Sequence, residues 1–431
     1  MTETWRRWLA VAVVLATLGP AAPALAQTPA PAEEKGPQTI WDALFPPAPP
    51  VAQAGAAADK KEEKPQTLWD EFKLFAYIEN SYTFNLTGAG RDATNELRFY
   101  DFDEGWTFNM AEFSIKKDPT EKNWWGMGLV VTAGLDAQKN HSLGIFRGTN
   151  DTFPFRNTPW FDLQEAYGSV MLPIGNGLIL KGGKFVTLLG FEAIESPNNL
   201  NFSRGYLYTL AIPLTHTGGL IQYKFTDWFT LLVGGVLGWD NSKENNGAPS
   251  ATGQFQFSPA KGLIANFEWI VGPEQADNNG NIRYVLDWVI MYTGIDRLTL
   301  GLNVDYGHED NEAFLTSLGT RSNTDANWYG AAGYVAYDWT DWFRTSLRQE
   351  YFKDANGART GFGNTLNLFS TTLTAQFKIW KGLVARLEYR HDQAGDKVFK
   401  ARTTRPDASG GVVPQSKHMD TISLSLYYSF F

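Results

Sequence analysis

The stretch KHMDTISLSLYYSFF, residues 417–431, decides the fold class of this chain. Successive side chains of an extended strand point to opposite faces. One face of this stretch is apolar and carries Ile422, Leu424, Leu426, Tyr428 and Phe430. The other face carries mostly hydroxyl groups, from Thr421, Ser423, Ser425, Tyr427 and Ser429. A strand with one lipid-compatible and one water-compatible face, ending at Phe431, is typical of the closing strand of a membrane β-barrel, although a soluble sandwich could also end this way.

Residues 1–26 have the pattern of a secretory signal peptide. Arg6 and Arg7 precede an apolar core at 8–18, and Ala-Leu-Ala at 24–26 forms an A-x-A cleavage site. The segment contains two arginines and one glutamate, so its removal changes the formal net charge from -9 to about -10.

The region 27–71 is predicted to be a disordered periplasmic linker, because residues 27–64 are rich in Pro, Ala, Glu and Lys and lack a period. Within it, PQTIWD at 37–42 recurs as PQTLWD at 65–70. The repeat is either a local duplication or a docking motif for a periplasmic partner, which the sequence leaves unknown. The barrel domain is predicted over 72–431.

Composition excludes several function classes. After the signal no apolar run is long enough for a spanning helix, yet 14% of the residues are aromatic and 41 are glycine. The chain has no cysteine, which excludes disulfides, thiolate metal sites and CxxCH haem attachment. The acidic balance argues against nucleic acid as a partner.

Turn and loop segments alternate along the domain. Seven short turns are predicted at 118–121, 173–176, 226–228, 259–262, 294–296, 340–342 and 380–382. Eight long loops are predicted at 87–104, 138–159, 189–213, 241–251, 272–281, 309–325, 355–363 and 394–416. Fifteen connections imply an all-β, transmembrane antiparallel β-barrel of about sixteen strands, with short periplasmic turns and long extracellular loops. Its expected location is the outer membrane of a Gram-negative bacterium, in contact with the lipid bilayer.

Charged residues that alternate with apolar ones identify the lumen face. A charge on the lipid face costs about 2–4 kcal/mol near the midplane, so these side chains are expected to point inward. The predicted lumen wall comprises the acids Glu268, Asp287, Asp305 and Glu388 and the bases Arg344, Arg348, Lys378, Arg386 and Arg390. These charges either set a transverse field across a wet pore or pair with one another and stiffen the wall.

A distinctive segment carries a family resemblance. It runs GGKF at 182–185, GFEAIESPNN at 190–199, NFSR at 201–204 and AIPLTHTG at 211–218. This segment resembles the beta-barrel porin-2 family, the OmpL-like porins, and weaker similarity extends over most of 72–431. The resemblance implies an outer-membrane porin-like barrel and does not supply a substrate.

The loop 189–213 is the predicted constriction, because the third loop of wide porins commonly folds into the lumen. Its polar groups need partners there, and Pro197 and Pro213 stiffen its ends. We expect Glu192, Glu195, Asn199 and Arg204 to lie at or near the constriction. Alternatively, Glu195 and Arg204 form an ion pair that pins the loop to the wall.

The sequence carries no recognisable catalytic or metal motif. The five histidines, at 141, 216, 308, 391 and 418, show no HExxH or similar spacing, and there is no GxSxG elbow or P-loop. We therefore expect no enzyme activity, no cofactor and no metal site, although His308 and His391 stand next to acidic residues as in barrel enzymes.

The leading hypothesis is a porin through which small hydrophilic solutes or ions diffuse passively. The alternative is a barrel that sheaths or docks a periplasmic or extracellular partner, such as an electron-transfer protein. A homo-trimer is the assembly that wide porins commonly form, but one sequence reveals no interface.

Overall fold

The computed structural model describes residues 68–87, 97–98, 104–145, 160–312, 314–315, 320–321, 323–400 and 416–430. The predicted signal peptide and the first copy of the PQT[IL]WD repeat lie outside these residues. No helix among the described residues is long and apolar enough to cross a membrane.

Sixteen antiparallel strands close into a barrel. They are β1 (Lys73–Asn85), β2 (Gly105–Lys117), β3 (Trp125–Ala133), β4 (Phe161–Leu172), β5 (Leu178–Val186), β6 (Thr215–Thr226), β7 (Phe229–Val236), β8 (Ser250–Ala260), β9 (Leu263–Pro273), β10 (Ile282–Ile295), β11 (Leu298–Glu309), β14 (Ala326–Asp338), β15 (Phe343–Asp354), β16 (Leu366–Trp380), β17 (Leu383–Ala394) and β18 (His418–Ser429). Two short strands, β12 (Phe314–Leu315) and β13 (Thr320–Arg321), form a separate ribbon in the loop after β11. The predicted strand number is confirmed, and each predicted turn or loop falls between two barrel strands.

The terminal strand β18 closes the barrel against β1. Their register runs from Tyr77 opposite Ser429 to Asn85 opposite Thr421. Side chains of β18 alternate as predicted, because Ser425 is fully buried whereas Leu426 is 45% exposed. The hydroxyl face of this strand therefore points into the barrel and the apolar face points out.

An exposed apolar belt surrounds the barrel. Large hydrophobic side chains that are exposed on the outward faces include Phe113, Trp288, Ile290, Leu302, Val335, Leu347, Leu373, Leu387, Leu424 and Leu426. A continuous apolar surface of this kind is stable when lipid covers it.

The two Thr-Asp-Trp-Phe turns build the same aromatic cluster at the short-turn end. Ring centroids of Trp228 and Phe229 lie 6.4 and 5.0 Å from that of Phe257. The corresponding centroids of Trp342 and Phe343 lie 6.4 and 5.1 Å from that of Phe377. Both tryptophans are exposed at the rim, which is where an interfacial aromatic girdle is expected.

The described residues begin just before the predicted barrel domain. Leu68–Glu71 forms a 3₁₀ turn that precedes β1. The Glu71 carboxylate accepts a hydrogen bond from Asn123 and lies 3.1 Å from the Lys117 ammonium. These contacts fix the end of the linker to the turn between β2 and β3.

Two long loops contain further secondary structure. The loop between β3 and β4 begins with a short helix, α1 (Leu135–Asn140). The loop between β5 and β6 contains a 3₁₀ turn, Ser196–Asn198, and a π-helical turn, Leu207–Ala211.

Candidate pore constriction

The loop 189–213 packs inside the barrel against inward-facing side chains. Its hydrophobic residues are almost fully buried, among them Leu189, Phe191, Leu200, Phe202, Tyr206, Leu207 and Leu210. Its backbone groups bond to side chains of β9–β11 on one wall and of β15 and β17 on another. The predicted insertion of this loop into the lumen therefore matches where the structure places it.

The first limb of the loop attaches to an acidic row. Glu268, Asp287 and Asp305 occupy matched register positions on β9, β10 and β11. The backbone N–H of Gly190 donates to Glu268 Oε2 at 3.0 Å and to Asp287 Oδ2 at 2.5 Å. The carboxylates thus satisfy loop donors that would otherwise be buried without a partner.

An aromatic stack fixes the same limb. The Phe191 ring lies on the Tyr334 ring with centroids 4.2 Å apart. Gly301 provides the space, since a Cβ there would lie 2.5 Å from Phe191 Cζ. The backbone N–H of Phe191 donates to Asn303 Oδ1 at 3.1 Å.

The second limb attaches to a wall rich in arginine. The Glu388 carboxylate accepts from the backbone N–H groups of Phe202 and Ser203, at 2.6 and 3.0 Å. Arg348 donates to the carbonyl oxygen of Ser203 at 2.6 Å, and Arg390 donates to that of Arg204 at 2.7 Å. Acids on these walls bind loop N–H groups and arginines bind loop carbonyls, so the walls recognise the backbone of the loop.

Sequence reasoning missed two residues that complete this attachment. Glu79 on β1 accepts from Arg386 at 2.7 Å and from Ser196 Oγ at 3.1 Å. Glu350 on β15 accepts from the backbone N–H of Leu207 at 2.7 Å. Alternation in the sequence places both residues on the inward faces of their strands, but it does not reveal which loop groups they bind.

Two of the four predicted constriction residues are buried within the loop attachment. Glu192 pairs with Arg348 at 2.5 Å and accepts the backbone N–H of Gly205 at 2.5 Å. Arg204 lies 3.6 Å from Asp136 of α1 and donates to the carbonyl oxygens of Ala193, Ile194 and Phe202. Burial raises the pKa of the Asp136 carboxyl to about 7, although the guanidinium of Arg204 acts to lower it.

The other two predicted residues differ in role. The Asn199 side chain accepts from the N–H of Ala193 and donates to its carbonyl oxygen, both at 2.8 Å, and so closes a turn of the loop. Glu195 is half-buried and accepts from Gln164 of β4 at 2.5 Å. Of the four residues, Glu195 retains the most contact with solvent.

Arg344 and Lys378 lie away from the loop. Arg344 pairs with Asp338 at 2.7 Å near the short turn between β14 and β15. Lys378 stands opposite Val384 near the end of β16 and is exposed. The predicted basic wall is therefore divided between loop-binding arginines and two cations at the periplasmic mouth.

The inward face of β2–β8 is partly accessible in its half nearest the short turns, whereas Asp162, Gln164 and Thr252 further along these strands are buried. Its half-exposed polar side chains are Lys116, Lys181, Gln222, Gln254 and Gln256. The Lys116 side chain is 38% exposed and pairs with Glu165, and the Lys181 ammonium lies 4.4 Å from the Tyr167 ring centroid. By contrast, Arg348, Arg386 and Arg390 on the opposite wall are at most 1% exposed.

A closed sixteen-strand barrel with an apolar exterior, a polar interior and an inserted loop is the architecture of an outer-membrane porin. The family described as "Putative beta-barrel porin-2, OmpL-like" matches residues 71–430, and the chain belongs to this family. It is accordingly a porin of the outer membrane, through which small hydrophilic solutes or ions diffuse passively.

Solved structures share the fold at low sequence identity. An anion-selective porin from Comamonas acidovorans aligns with a TM-score of 0.52 and 10% identity, covering 83% of this chain and 99% of that one. OmpF of Salmonella typhi, in complex with daunomycin, aligns with a TM-score of 0.52 and 11% identity, covering 83% and 97%. The trimer form of OmpT, an outer-membrane protein of Vibrio cholerae, aligns with a TM-score of 0.50 and 12% identity, covering 83% and 99%. A search of curated protein sequences finds no match.

These findings favour a channel over a sheath for another protein. The family is one of porins, and the wall of β9–β11, β15 and β17 is covered by the chain's own loop. The fold and family indicate a channel rather than an enzyme.

Proposed function

We propose that solutes pass between the inserted loop 189–213 and the inward face of β2–β8. The observation that carries this proposal is the difference in burial between the wall under the loop and the half of β2–β8 nearest the short turns. Arginines beneath the loop are almost inaccessible, whereas Lys116, Lys181 and Gln254 on the opposite side retain contact with solvent. A wet passage requires polar groups that water can reach.

In this proposal the predicted constriction residues divide into two groups. Glu192, Asn199 and Arg204 hold the shape of the loop through their buried contacts. Glu195 lines the loop side of the passage, and Lys181 lines the barrel side. Charge close to a narrow pore controls which ions enter it.

The ion preference of the pore tests this assignment. Replacing Lys181 with Gln removes a positive charge and shifts the reversal potential in a KCl gradient towards cation preference. Replacing Glu195 with Gln shifts it towards anion preference. Lys353→Gln is the matched control, because Lys353 lies on the outward face of β15, over the Tyr329 ring. Equal reversal potentials for wild type, Lys181→Gln and Glu195→Gln would place the passage elsewhere.

Solute size gives a second measurement. Proteoliposomes that contain the folded chain are expected to swell in small sugars and to swell more slowly as the sugar becomes larger. Liposomes with heat-denatured protein provide the baseline. Swelling no faster than this baseline in every sugar would contradict diffusion through the lumen.

We also propose that the protein catalyses no reaction. In the described part of the chain, the hydrogen bonds shown for His308 and His391 run to Asn or Asp side chains. A serine nucleophile would need a hydrogen bond to one of these rings. Hydrolysis of a panel of ester, phosphate and peptide substrates at the level of buffer alone is expected.

A homo-trimer is the proposed assembly. The support for a trimer is the similar fold of OmpT from Vibrio cholerae, whose structure is described as a trimer form. Light scattering of the detergent complex, corrected for bound detergent, is expected to give three times the mass of the mature chain. The monomer mass would refute the trimer and leave the diffusion proposal intact.

A further inference from the structure

Three side chains of metal-binding types meet at the outer end of β11. Potential ligand atoms of His308, Asp310 and Asp325 all lie within 4.8 Å of one another. His308 belongs to β11, Asp310 follows this strand, and Asp325 immediately precedes β14. The cluster therefore joins the two ends of the loop between these strands.

The surroundings of His308 determine which ring nitrogen points into the cluster. Nδ1 lies 2.9 Å from Asn327 Oδ1, and the same oxygen accepts a hydrogen bond from the Tyr306 hydroxyl at 3.0 Å. A carboxamide oxygen only accepts, so Nδ1 carries the hydrogen. In a neutral ring Nε2 then presents its lone pair, and this atom lies 3.2 Å from Asp310 Oδ1.

Two acceptors that face each other are compatible when a proton or a metal ion lies between them, so Nε2 is available as a metal ligand. A hydrogen bond from the second ring nitrogen to a carbonyl oxygen is the usual support of a metal-binding histidine. The Tyr284 ring also stacks on the His308 ring, with centroids 5.1 Å apart, and fixes its plane. This orientation is independent of the acidic residues and points to a ligand at Nε2.

One of the separations in the cluster suits a divalent metal ion. Zinc binds nitrogen and carboxylate oxygen at about 2.0–2.2 Å, so two ligands of a tetrahedral ion lie about 3.3–3.5 Å apart. The separation between His308 Nε2 and Asp310 Oδ1, 3.2 Å, is close to this value. Backbone N–H groups of Ile282 and Asn311 donate to Asp310 Oδ2 and Asp325 Oδ1, at 3.1 and 3.2 Å, and orient both carboxylates.

We propose that His308, Asp310 and Asp325 bind a divalent cation of the zinc type, with water completing its coordination. One imidazole and two carboxylates suit zinc better than calcium, which prefers oxygen ligands alone. The ion links the two ends of the loop between β11 and β14 at the outer rim. No metal-binding spacing is visible in the sequence, because Asp325 comes from the far end of the loop.

Zinc titration of the full folded chain in detergent, without a histidine tag, tests the site. Isothermal titration calorimetry is expected to show one equivalent bound to the wild type. His308→Gln and Asp325→Asn are each expected to weaken binding at least tenfold. Asn327→Leu, which removes the support of Nδ1, is expected to weaken it about 10–100-fold.

The chain offers a matched control at the same rim. His391 Nδ1 lies 2.8 Å from Asp420 Oδ1, and among the described residues no third potential ligand completes a metal-binding group there. His391→Gln should therefore leave the zinc affinity unchanged. Asp325 is exposed, so Asp325→Asn is expected to fold even if a variant at His308 does not. Zinc affinities that are equal in wild type and Asp325→Asn would overturn the site and leave a protonated His308–Asp310 ion pair.

Discussion

Replacing Arg348 with Met should release the inserted loop from the barrel wall. Arg348 is fully buried and donates to Glu192 Oε1 at 2.5 Å and to the Ser203 carbonyl at 2.6 Å. It also donates to Thr372 Oγ1 at 3.1 Å. Methionine fills much of the volume but leaves the Glu192 carboxylate buried without its cationic partner.

The expected effect is large. Removing one partner of a buried ion pair costs about 3–5 kcal/mol. At about 1.4 kcal/mol per tenfold change, this shifts the equilibrium between attached and displaced loop by roughly two to three and a half orders of magnitude. The sixteen-strand sheet stays intact, because Arg348 contributes its side chain and not its backbone to the loop attachment. The lost free energy is therefore expected to displace the loop, while the barrel stays folded.

Single-channel recording in planar bilayers measures this displacement. Arg348→Met is expected to show frequent transitions between conductance levels and a higher maximal level than wild type. Arg344→Met is the matched control, since it lies on the same inward face of β15 but pairs with Asp338 near the periplasmic turn. It should leave the conductance fluctuations of the wild type unchanged.

A double variant separates charge from packing. Adding Glu192→Gln to Arg348→Met removes the stranded carboxylate and is expected to restore part of the steady conductance. Release of the loop is refuted if the conductance of Arg348→Met fluctuates no more than that of Arg344→Met. It is also refuted if the conductance of the double variant fluctuates as much as that of the single variant.

Two further predictions concern the loop and its neighbours. Gly301→Val places a Cβ about where the Phe191 ring lies, at a cost of about 1–3 kcal/mol for overpacking, and should cause conductance fluctuations. Gly333→Val is the control, because a Cβ there meets nothing within 4 Å, and its single-channel conductance should match that of the wild type. Burial raises the pKa of Asp240 above its ordinary 3.8, although two backbone N–H groups that donate to it act in the opposite direction. The folded state therefore binds this proton more tightly than the unfolded state, and stability is lost as the pH rises from 3.8 through the raised pKa. Urea unfolding of Asp240→Asn should show less of this loss than wild type, and an equal loss in both proteins would remove Asp240 as its source.

The strand pattern was predictable because one simple constraint acts on every strand. Each inward position must tolerate a polar interior and each outward position must tolerate lipid, so a period of two runs through β11, β17 and β18. Turn chemistry such as Thr-Asp-Trp then marks the ends of strands. The pairing of Glu71 with Lys117 could not be predicted in this way, because it depends on a residue in another hairpin.

The roles of individual inward residues could not be predicted from this pattern. Alternation identifies Arg348 and Lys181 equally as inward, yet one is buried under the loop and the other stays half-exposed. The difference depends on where the loop lies across the lumen, which rests on contacts between distant residues such as Glu388 and Phe202. The same limit applies to His308 and Asp325, which only the closed barrel brings together.

Single-channel conductance of the refolded mature chain in planar bilayers would show whether solutes pass between the loop and the barrel wall. We expect stable ohmic openings, with a reversal potential in a KCl gradient that responds to Lys181→Gln and Glu195→Gln in opposite directions. A correctly folded barrel that shows no conductance would contradict diffusion past the loop.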